Sequence, residues 1–267
     1  MAETAVRSGG GPPRAPDRHR RAGSAMELTE LPEWEHPAPG VARLRLPGWD
    51  CTAGLVRGED AALLVDPGAG LAQGEAVRRA AERLLGDGSR VTHLALTHPH
   101  FDHVLGAPAV EAPVYAAVGS ESLLGTEAGR AELREDAVRH GLDPAEARRA
   151  AALLRGPDQP VSGEFALDLG GGRRVLLANV GPGHSGHDLV LVVPGERTVV
   201  FCGDLVEESG EPQAGPDAVP ARWPEALDRL LGLGGDEAVY VPGHGALVDA
   251  AFVRRQRDAL ARRFGVS

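Results

Sequence analysis

Residues 97–103 read THPHFDH and place three histidines and one aspartate within six residues. The stretch follows directly on an apolar run that predicts a β-strand. In an extended segment, residues two apart point to the same side, so His98 and His100 can converge on one ion. The chain then turns towards a helix, which offsets Asp102 and His103 and lets them address a second ion. Imidazole and carboxylate ligands together suit Zn²⁺, Fe or Mn²⁺.

Three further candidate ligands lie downstream, and each follows a predicted strand. GPGHSGHD places His184 in a glycine-rich turn, FCGD places Asp204 at a strand end, and VPGHG places His244 just after a strand. Glycines beside a ligand let the backbone turn tightly and bring the side chain to a metal. The sequence therefore predicts a metal centre that is built from several strand-end loops at one edge of a sheet.

Taken in order, THPHFDH, GPGHSGH, FCGD and VPGHG resemble the metal motifs of the metallo-β-lactamase superfamily. Asp66-Pro67-Gly68 resembles the first, acidic motif of that superfamily, and the resemblance spans about residues 41–260. It implies an α/β fold of the four-layer αβ/βα sandwich type. Two mixed β-sheets would face each other, helices would cover their outer faces, and the metal site would lie at one edge.

The resemblance also implies a role for each motif residue. Two divalent metal ions are expected as cofactors, with zinc favoured over iron or manganese. The first ion would be held by His98, His100 and His184, the second by Asp102, His103 and His244, and Asp204 would bridge both. Asp102 and Asp66 are the predicted catalytic residues: Asp102 would carry a proton to the leaving group, and Asp66 would orient a ligand through a hydrogen bond.

The implied activity is hydrolysis, in which a metal-bridging hydroxide attacks a small ester-like substrate. The all-His/Asp ligand set resembles the branch of glyoxalase II-type thioesterases and lactonases, which makes a thioester or a lactone the favoured substrate. Class B1 β-lactamases carry cysteine at the position of Asp204 and use a lysine to bind the substrate, whereas this chain has no lysine. The remaining alternatives are a mononuclear-iron persulfide dioxygenase-like oxidoreductase, a β-lactam or phosphoester hydrolase, and a non-catalytic binding module.

Composition narrows the choice of partner. The net charge of −10 disfavours nucleic acid, since phosphate binding needs a basic surface. No apolar run approaches the ~20 residues that a membrane-spanning helix needs. We therefore expect a small-molecule substrate, no nucleic-acid or membrane partner, and a monomer or homodimer. Cys51 and Cys202 are the only cysteines and are predicted to be free thiols. The sequence near the N-terminus also has no apolar core of a secretory signal. Together with the free thiols, this favours a cytoplasmic protein.

The chain divides into a short extension and one large domain. Residues 1–25 are rich in Gly, Pro and Arg and have little to bury, so they predict a disordered extension. Residues 26–267 are predicted to form the metallo-β-lactamase-like domain, with a helical lid or insert at about 118–156. Trp49, in a loop that can overhang the metals in the superfamily, and His187, near His184, are candidate substrate contacts.

Periodicity predicts the remaining elements. Strands are expected at 41–46, 53–56, 61–65, 163–168, 174–180, 188–193, 197–203 and 238–241, and helices over 72–86, 222–232 and 247–264.

Overall fold

A computed structural model describes residues 29–86 and 88–266 and contains two mixed β-sheets. The first sheet has seven strands that lie side by side in chain order. They are β1 (Glu35–Ala38), β2 (Val41–Arg45), β3 (Thr52–Arg57), β4 (Ala62–Val65), β5 (His93–Ala95), β6 (Val114–Ala117) and β7 (Gln159–Val161). Strands β1 to β4 pair antiparallel, and β4 to β7 pair parallel.

The second sheet has five strands, also in chain order. They are β8 (Glu164–Asp168), β9 (Arg174–Asn179), β10 (Leu189–Val193), β11 (Val199–Glu207) and β12 (Val239–His244). Only β11 and β12 pair parallel, and the other pairs are antiparallel. A parallel pair brings the carboxyl ends of both strands to one edge, which places the end of β11 beside the end of β12.

Seven α-helices accompany the sheets in the described part of the chain. They are α1 (Leu71–Leu85), α2 (Phe101–Val104), α3 (Glu121–Leu124), α4 (Glu127–Arg139), α5 (Pro144–Leu153), α6 (Trp223–Gly234) and α7 (Ala250–Phe264). Side-chain caps start three of them: Thr126 accepts from the N–H of Gly129 in α4, Asp143 accepts from backbone N–H groups of α5, and Asp249 accepts from the N–H of Phe252 in α7. None of the described helices combines the length and the apolar character that a bilayer crossing requires.

Successive side chains of a strand point to opposite faces of its sheet, and this alternation produces the buried apolar layers. In β4, Leu63 packs in the apolar layer between the two sheets, whereas the next residue, Leu64, packs in the layer beneath helices such as α1. A third apolar layer joins the outer face of the second sheet to α6 and α7. Three buried apolar layers separate four layers of secondary structure, two sheets between two layers of helices, and form the αβ/βα sandwich. The predicted fold class is therefore confirmed.

The structure adds elements that the sequence patterns did not predict. Strands β1, β6 and β7 were missed because they are three or four residues long and lack clear apolar alternation; β7, for example, reads QPV. The 118–156 segment forms α3, α4 and α5, and Leu133 and Ala147 join the core that covers the first sheet. Its role as a lid stays a prediction, and the predicted extension at 1–25 lies outside the described residues.

Candidate metal centre

The structure brings all seven predicted ligands together from five segments of the chain. His98 and His100 lie in the loop after β5, and Asp102 and His103 lie in the short α2. His184 follows β9, Asp204 lies in β11, and His244 ends β12. Their donor atoms form two compact groups, each with mutual separations within 4.8 Å: His98, His100, His184 and Asp204 in one, and Asp102, His103 and His244 in the other.

Hydrogen bonds fix the tautomer of each histidine in the first group. His184 Nδ1 lies 3.1 Å from the carbonyl oxygen of Gln213, and His100 Nε2 lies 3.0 Å from Asp217 Oδ2. Both acceptors require the proton on the nitrogen that faces them. His184 Nε2 and His100 Nδ1 are therefore left with lone pairs, and these two atoms lie only 2.9 Å apart.

His98 is oriented through a hydroxyl group. The Thr97 hydroxyl donates its only proton to Asp66 Oδ2 at 2.6 Å, so it can only accept from His98 Nδ1, which lies 3.0 Å away. His98 Nε2 then carries a lone pair, and this atom is buried without a hydrogen-bond partner.

The second group follows the same rule. His103 Nδ1 donates to Asp66 Oδ2 at 2.9 Å, and His244 Nδ1 donates to the carbonyl oxygen of Trp49 at 2.9 Å. The two Nε2 atoms face each other at 3.4 Å. Asp102 Oδ2 lies 3.4 Å from His244 Nε2 and 3.7 Å from His103 Nε2, which places a carboxylate beside both lone pairs.

Asp204 lies between the two groups. Its Oδ2 is 3.5 Å from His184 Nε2 and 3.2 Å from His244 Nε2, and its Oδ1 is 3.2 Å from His103 Nε2. Gly243 makes this approach possible, because a Cβ at that position would lie 1.8 Å from Asp204 Oδ1. One carboxylate thus reaches histidines of both groups.

Charge explains why these residues fit metal cations. Burial lowers the pKa of His184 to about 4 and holds the pKa of His98 well below its usual value, so both imidazoles are neutral, as ligands must be. Burial also opposes charge on His244, but Asp204 and Asp102 outweigh it and raise its pKa to about 10. Without an ion, the inward lone pairs of the neutral imidazoles repel the two carboxylates, and the carboxylates hold an extra proton on His244. Positively charged ions at the centre would replace both the repulsion and that proton.

Comparison with known proteins identifies the family of the chain. The family model described as "Metallo-beta-lactamase superfamily" matches residues 46–244, about three quarters of the chain. The chain belongs to the metallo-β-lactamase superfamily. A search of curated protein sequences gave no match.

Solved structures of superfamily members share the fold. A metallo-beta-lactamase from Pontibacter korlensis has a TM-score of 0.65 at 22% identity, covering 86% of this chain and 99% of its own. A metallo-beta-lactamase from Pseudomonas aeruginosa, in a mono-zinc form, has a TM-score of 0.64 at 18% identity, covering 91% of this chain and 100% of its own. One from Erythrobacter litoralis, with beta mercaptoethanol in its active site, has a TM-score of 0.64 at 16% identity and covers 87% of this chain and 100% of its own.

Asp66 takes the orienting position that the superfamily motif predicts. It follows β4 with a φ of 48°, and besides His103 it accepts from both the backbone N–H and the hydroxyl of Thr97. Asp66 is 2% exposed and its contacts are with protein groups, which suits the orienting role that the resemblance implies. The Asp66 carboxylate contacts His103 directly and contacts His98 through the Thr97 hydroxyl. One carboxylate thus orients a histidine in each of the two groups of candidate ligands.

Several supporting residues have no signal in the sequence of this superfamily member. Asp217 and Gln213 lie in the loop between β11 and α6. Asp217 is 117 residues from His100, which it contacts, and Gln213 is 29 residues from His184. Glu207 was also missed: its carboxylate oxygen lies within 4.8 Å of donor atoms of Asp204 and His244. Thr97 is the first residue of the THPHFDH motif, and its hydroxyl could have been considered for that reason.

The two predicted substrate contacts, Trp49 and His187, differ in their exposure to solvent. Trp49 is 4% exposed, and its indole packs edge-to-face against Phe101 at 5.5 Å. Trp49 reaches the site through its carbonyl oxygen, which accepts from His244 Nδ1, and its substrate role stays a prediction. His187 is partly exposed and its Nδ1 donates to the carbonyl of Val118, which leaves Nε2 as an acceptor; its substrate role stays a prediction.

Both cysteines are buried and free, as predicted. The Cys51 thiol donates to the carbonyl oxygen of Asp102 at 3.2 Å, so it supports the loop of a candidate ligand. Burial raises the pKa of the Cys202 thiol, so it is not an ionised nucleophile.

Proposed function

We propose that the chain is a dinuclear metal-dependent hydrolase that cleaves a small ester-like bond. The observation that carries the proposal is the common orientation of five histidines. Each uses one ring nitrogen to donate to a protein acceptor and turns the other towards the same space, where two carboxylates also lie. In this proposal His98, His100 and His184 hold one ion, Asp102, His103 and His244 hold the other, and Asp204 bridges them.

Two divalent ions bound there, with zinc favoured, would make water nucleophilic at neutral pH and polarise the bond under attack. The protein residues divide the remaining tasks. Asp66, Thr97 and Asp217 keep the imidazoles in the tautomers described above. The Asp102 side chain is 12% exposed, compared with 0% for His103, so Asp102 can exchange a proton with a leaving group at the open side of the site.

We propose a thioester or lactone as the substrate and a place in the glyoxalase II-like or lactonase-like branch. The support comes from the ligand chemistry, because the position between the two histidine groups holds the carboxylate of Asp204 rather than a thiol. A carboxylate with two oxygens can contact both groups at once, as the distances above permit. The 118–156 helices would then form a wall or lid over part of the site, a role that the helical structure allows.

β-Lactam hydrolysis is the second candidate, and a specific observation favours it. The solved structures that share this fold over nearly their whole length are described as metallo-beta-lactamases. Their identities are only 22% and 18%, and this chain has no lysine with which to bind a β-lactam carboxylate in the class B1 manner. We therefore rank β-lactams below thioesters and lactones.

Elemental analysis of the purified protein, paired with turnover of a thioester, lactone and β-lactam panel, tests the proposal. We expect close to two equivalents of metal per chain and hydrolysis that is lost in Asp204→Ala. Asp236→Ala is the matched control, since it removes the same charge from a side chain that is 73% exposed. One iron per chain without hydrolysis would favour the dioxygenase-like alternative, and absence of metal would refute the central claim.

We further propose a cytoplasmic enzyme that acts as a monomer or homodimer on a small molecule. Two buried free thiols suit a reducing compartment.

A further inference from the structure

Arg43 is a buried cation on the inner face of the first sheet. In β2, which reads VARLR, Val41 packs in the apolar layer between the two sheets, and Arg43, two residues further on, points to the same face. The Arg43 side chain is only 2% exposed. Arginine is rarely buried to this extent without partners, so its partners indicate what the charge does there.

One partner of Arg43 lies in the neighbouring strand. Glu35 of β1 stands directly opposite Arg43 in the antiparallel pair, and its carboxylate accepts from Arg43 Nη2 at 2.8 and 2.9 Å and from Nε at 3.2 Å. The Glu35 side chain is 47% exposed, so the ion pair reaches from solvent into the interior. Because the guanidinium group is planar and rigid, these contacts on one side of it also fix the direction of Nη1.

The other partner belongs to the second sheet. Arg43 Nη1 donates to the carbonyl oxygen of Gly245 at 2.7 Å, in a buried hydrogen bond that joins residues 202 positions apart. Gly245 directly follows the candidate ligand His244 and has a φ of 96°, so the chain leaves β12 in a sharp turn. Glu208, just after β11, binds the His244 carbonyl and the Ala246 N–H and holds this turn to the second sheet. Arg43 holds the same turn to the first sheet.

The proposed ligands of the second ion come from both sheets. Asp102 and His103 lie in α2, which follows β5 of the first sheet, whereas His244 ends β12 of the second. The distance between His103 Nε2 and His244 Nε2, 3.4 Å, therefore depends on how the two sheets are fixed to each other at this edge. The bond from Arg43 to Gly245 fixes them one residue away from a ligand.

We propose that Arg43 is a positioning residue for the second ion and that Glu35 acts through it. Arg43 holds the turn after His244 against the first sheet, and Glu35 holds the guanidinium group in the orientation that this contact needs. The inference rests on the proposed dinuclear site and extends its support to a half-exposed residue in the edge strand β1.

Four variants separate this role from a general effect on the fold. Arg43→Met keeps most of the side-chain volume and removes every donor. Arg43→Lys keeps the charge but cannot bind both partners through one rigid fork, and Glu35→Gln keeps an acceptor without the charge. Arg173→Met is the matched control, because Arg173 also joins the two sheets, through the backbone carbonyls of Pro39 and Pro194, which lie outside the candidate metal centre.

Metal binding gives the first readout. Titration with Co²⁺ yields a dissociation constant for each ion, and NMR assigns the two constants, because the N–H protons of cobalt-bound imidazoles give strongly shifted signals, three from the first site and two from the second. We expect Arg43→Met to raise the constant of the second ion about tenfold, as is usual for groups that support a metal ligand. The constant of the first ion should stay within about twofold, since other groups orient its histidines. Arg43→Lys and Glu35→Gln should raise the second constant less, and Arg173→Met should change neither.

Hydrogen exchange in the metal-free protein tests the contact itself. The backbone N–H groups of residues 244–248 should exchange about tenfold faster in Arg43→Met, because the turn loses a buried hydrogen bond that holds it closed. Their exchange should be unchanged in Arg173→Met.

Equal weakening of both ions, or an unchanged second constant in folded Arg43→Met, would overturn the inference. If Arg43→Met does not fold, the same constants are measured in Arg43→Lys and Glu35→Gln, and no weakening of the second ion in either would overturn it. An original protein that binds no metal would instead refute the proposed function. The exchange comparison would still show whether Arg43 holds the turn, so the two failures are distinguishable.

Discussion

Removing the Asp217 carboxylate should weaken the binding of one metal ion while leaving the fold intact. In Asp217→Ala, His100 loses the acceptor for its Nε2–H, and its Nδ1 is no longer held towards the first ion by a protein group. The His100 side chain is 24% exposed, so it gains freedom to rotate and to exchange tautomers. Asp217 lies in an irregular loop with a side chain 41% exposed, so little buried packing is lost.

The hydrogen bond sets the size of the effect. At 3.0 Å it joins an imidazole to a carboxylate, and hydrogen bonds to charged groups contribute ~1.5–3 kcal/mol. Because Asp217 is partly exposed, solvent screening places the expected loss near the lower end, ~1.4 kcal/mol, or about tenfold in the affinity for the first ion. Asp217→Asn keeps an acceptor oxygen without the charge, so its affinity for the first ion should lie between those of the original protein and Asp217→Ala.

Titration of the metal-depleted protein with Co²⁺ against a chromophoric chelator gives the two dissociation constants separately. Only the constant for the site of His98, His100 and His184 should rise, and the thermal midpoint of the metal-free protein should stay within about 1 °C of the original. Asp236→Ala again serves as the control of equal charge. Two unchanged constants, or weakening confined to the second ion, would refute the reasoning.

The remaining predictions concern four other features of the site. Asp66→Ala should weaken both ions and lower the free energy of unfolding by about 3 kcal/mol, as measured in urea, because it leaves Thr97 N–H and two donor side chains without their buried acceptor; an unchanged urea midpoint would contradict this. Gly243→Ala should abolish metal binding by displacing Asp204, whereas Gly210→Ala, with open space at its Cβ position, should bind metal normally; equal metal content in both would argue against the steric account. Since carboxylates raise the pKa of His244 to about 10, metal binding at pH 7 must release a proton from that ring, so affinity should rise as pH rises from 6 to 8; calorimetry in buffers of different ionisation enthalpy measures the release, and a value of zero would count against it. Chelation of bound metal should lower the thermal midpoint of unfolding, which a scan with and without EDTA checks.

Much of the fold could be predicted because its central elements carry strong periodicity. The predictions at 41–46, 53–56 and 61–65 correspond to β2, β3 and β4, and the prediction at 72–86 corresponds to α1 at Leu71–Leu85. Each of these segments has a buried face whose spacing matches its conformation. Strands such as β1 (EHPA) obtain their conformation from pairing with a neighbour, so their own residues give little indication of it.

The candidate ligands were predictable for a different reason. Their residue types are chemically unusual together, and each stands at a strand end in a motif of the superfamily. The groups that orient them are common residues at distant positions: Asp217 is 117 residues from His100, and the Gln213 contact is made by a backbone carbonyl that has no residue-type signal at all. Only the path of the folded chain brings such groups to the histidines.

The backbone carbonyls of Trp49 and Gln213 have a consequence for engineering. His244 and His184 take their orientation from these two oxygens, and every amino acid supplies a backbone carbonyl. A substitution at position 49 or 213 therefore keeps the acceptor that sets the tautomer of the histidine. Gln213 projects from an exposed loop, and its side-chain amide donates to the carbonyl oxygen of Glu211. Position 213 is therefore a suitable place to randomise in a library aimed at new substrates, whereas a change at position 217 that removes the acceptor should weaken the first ion.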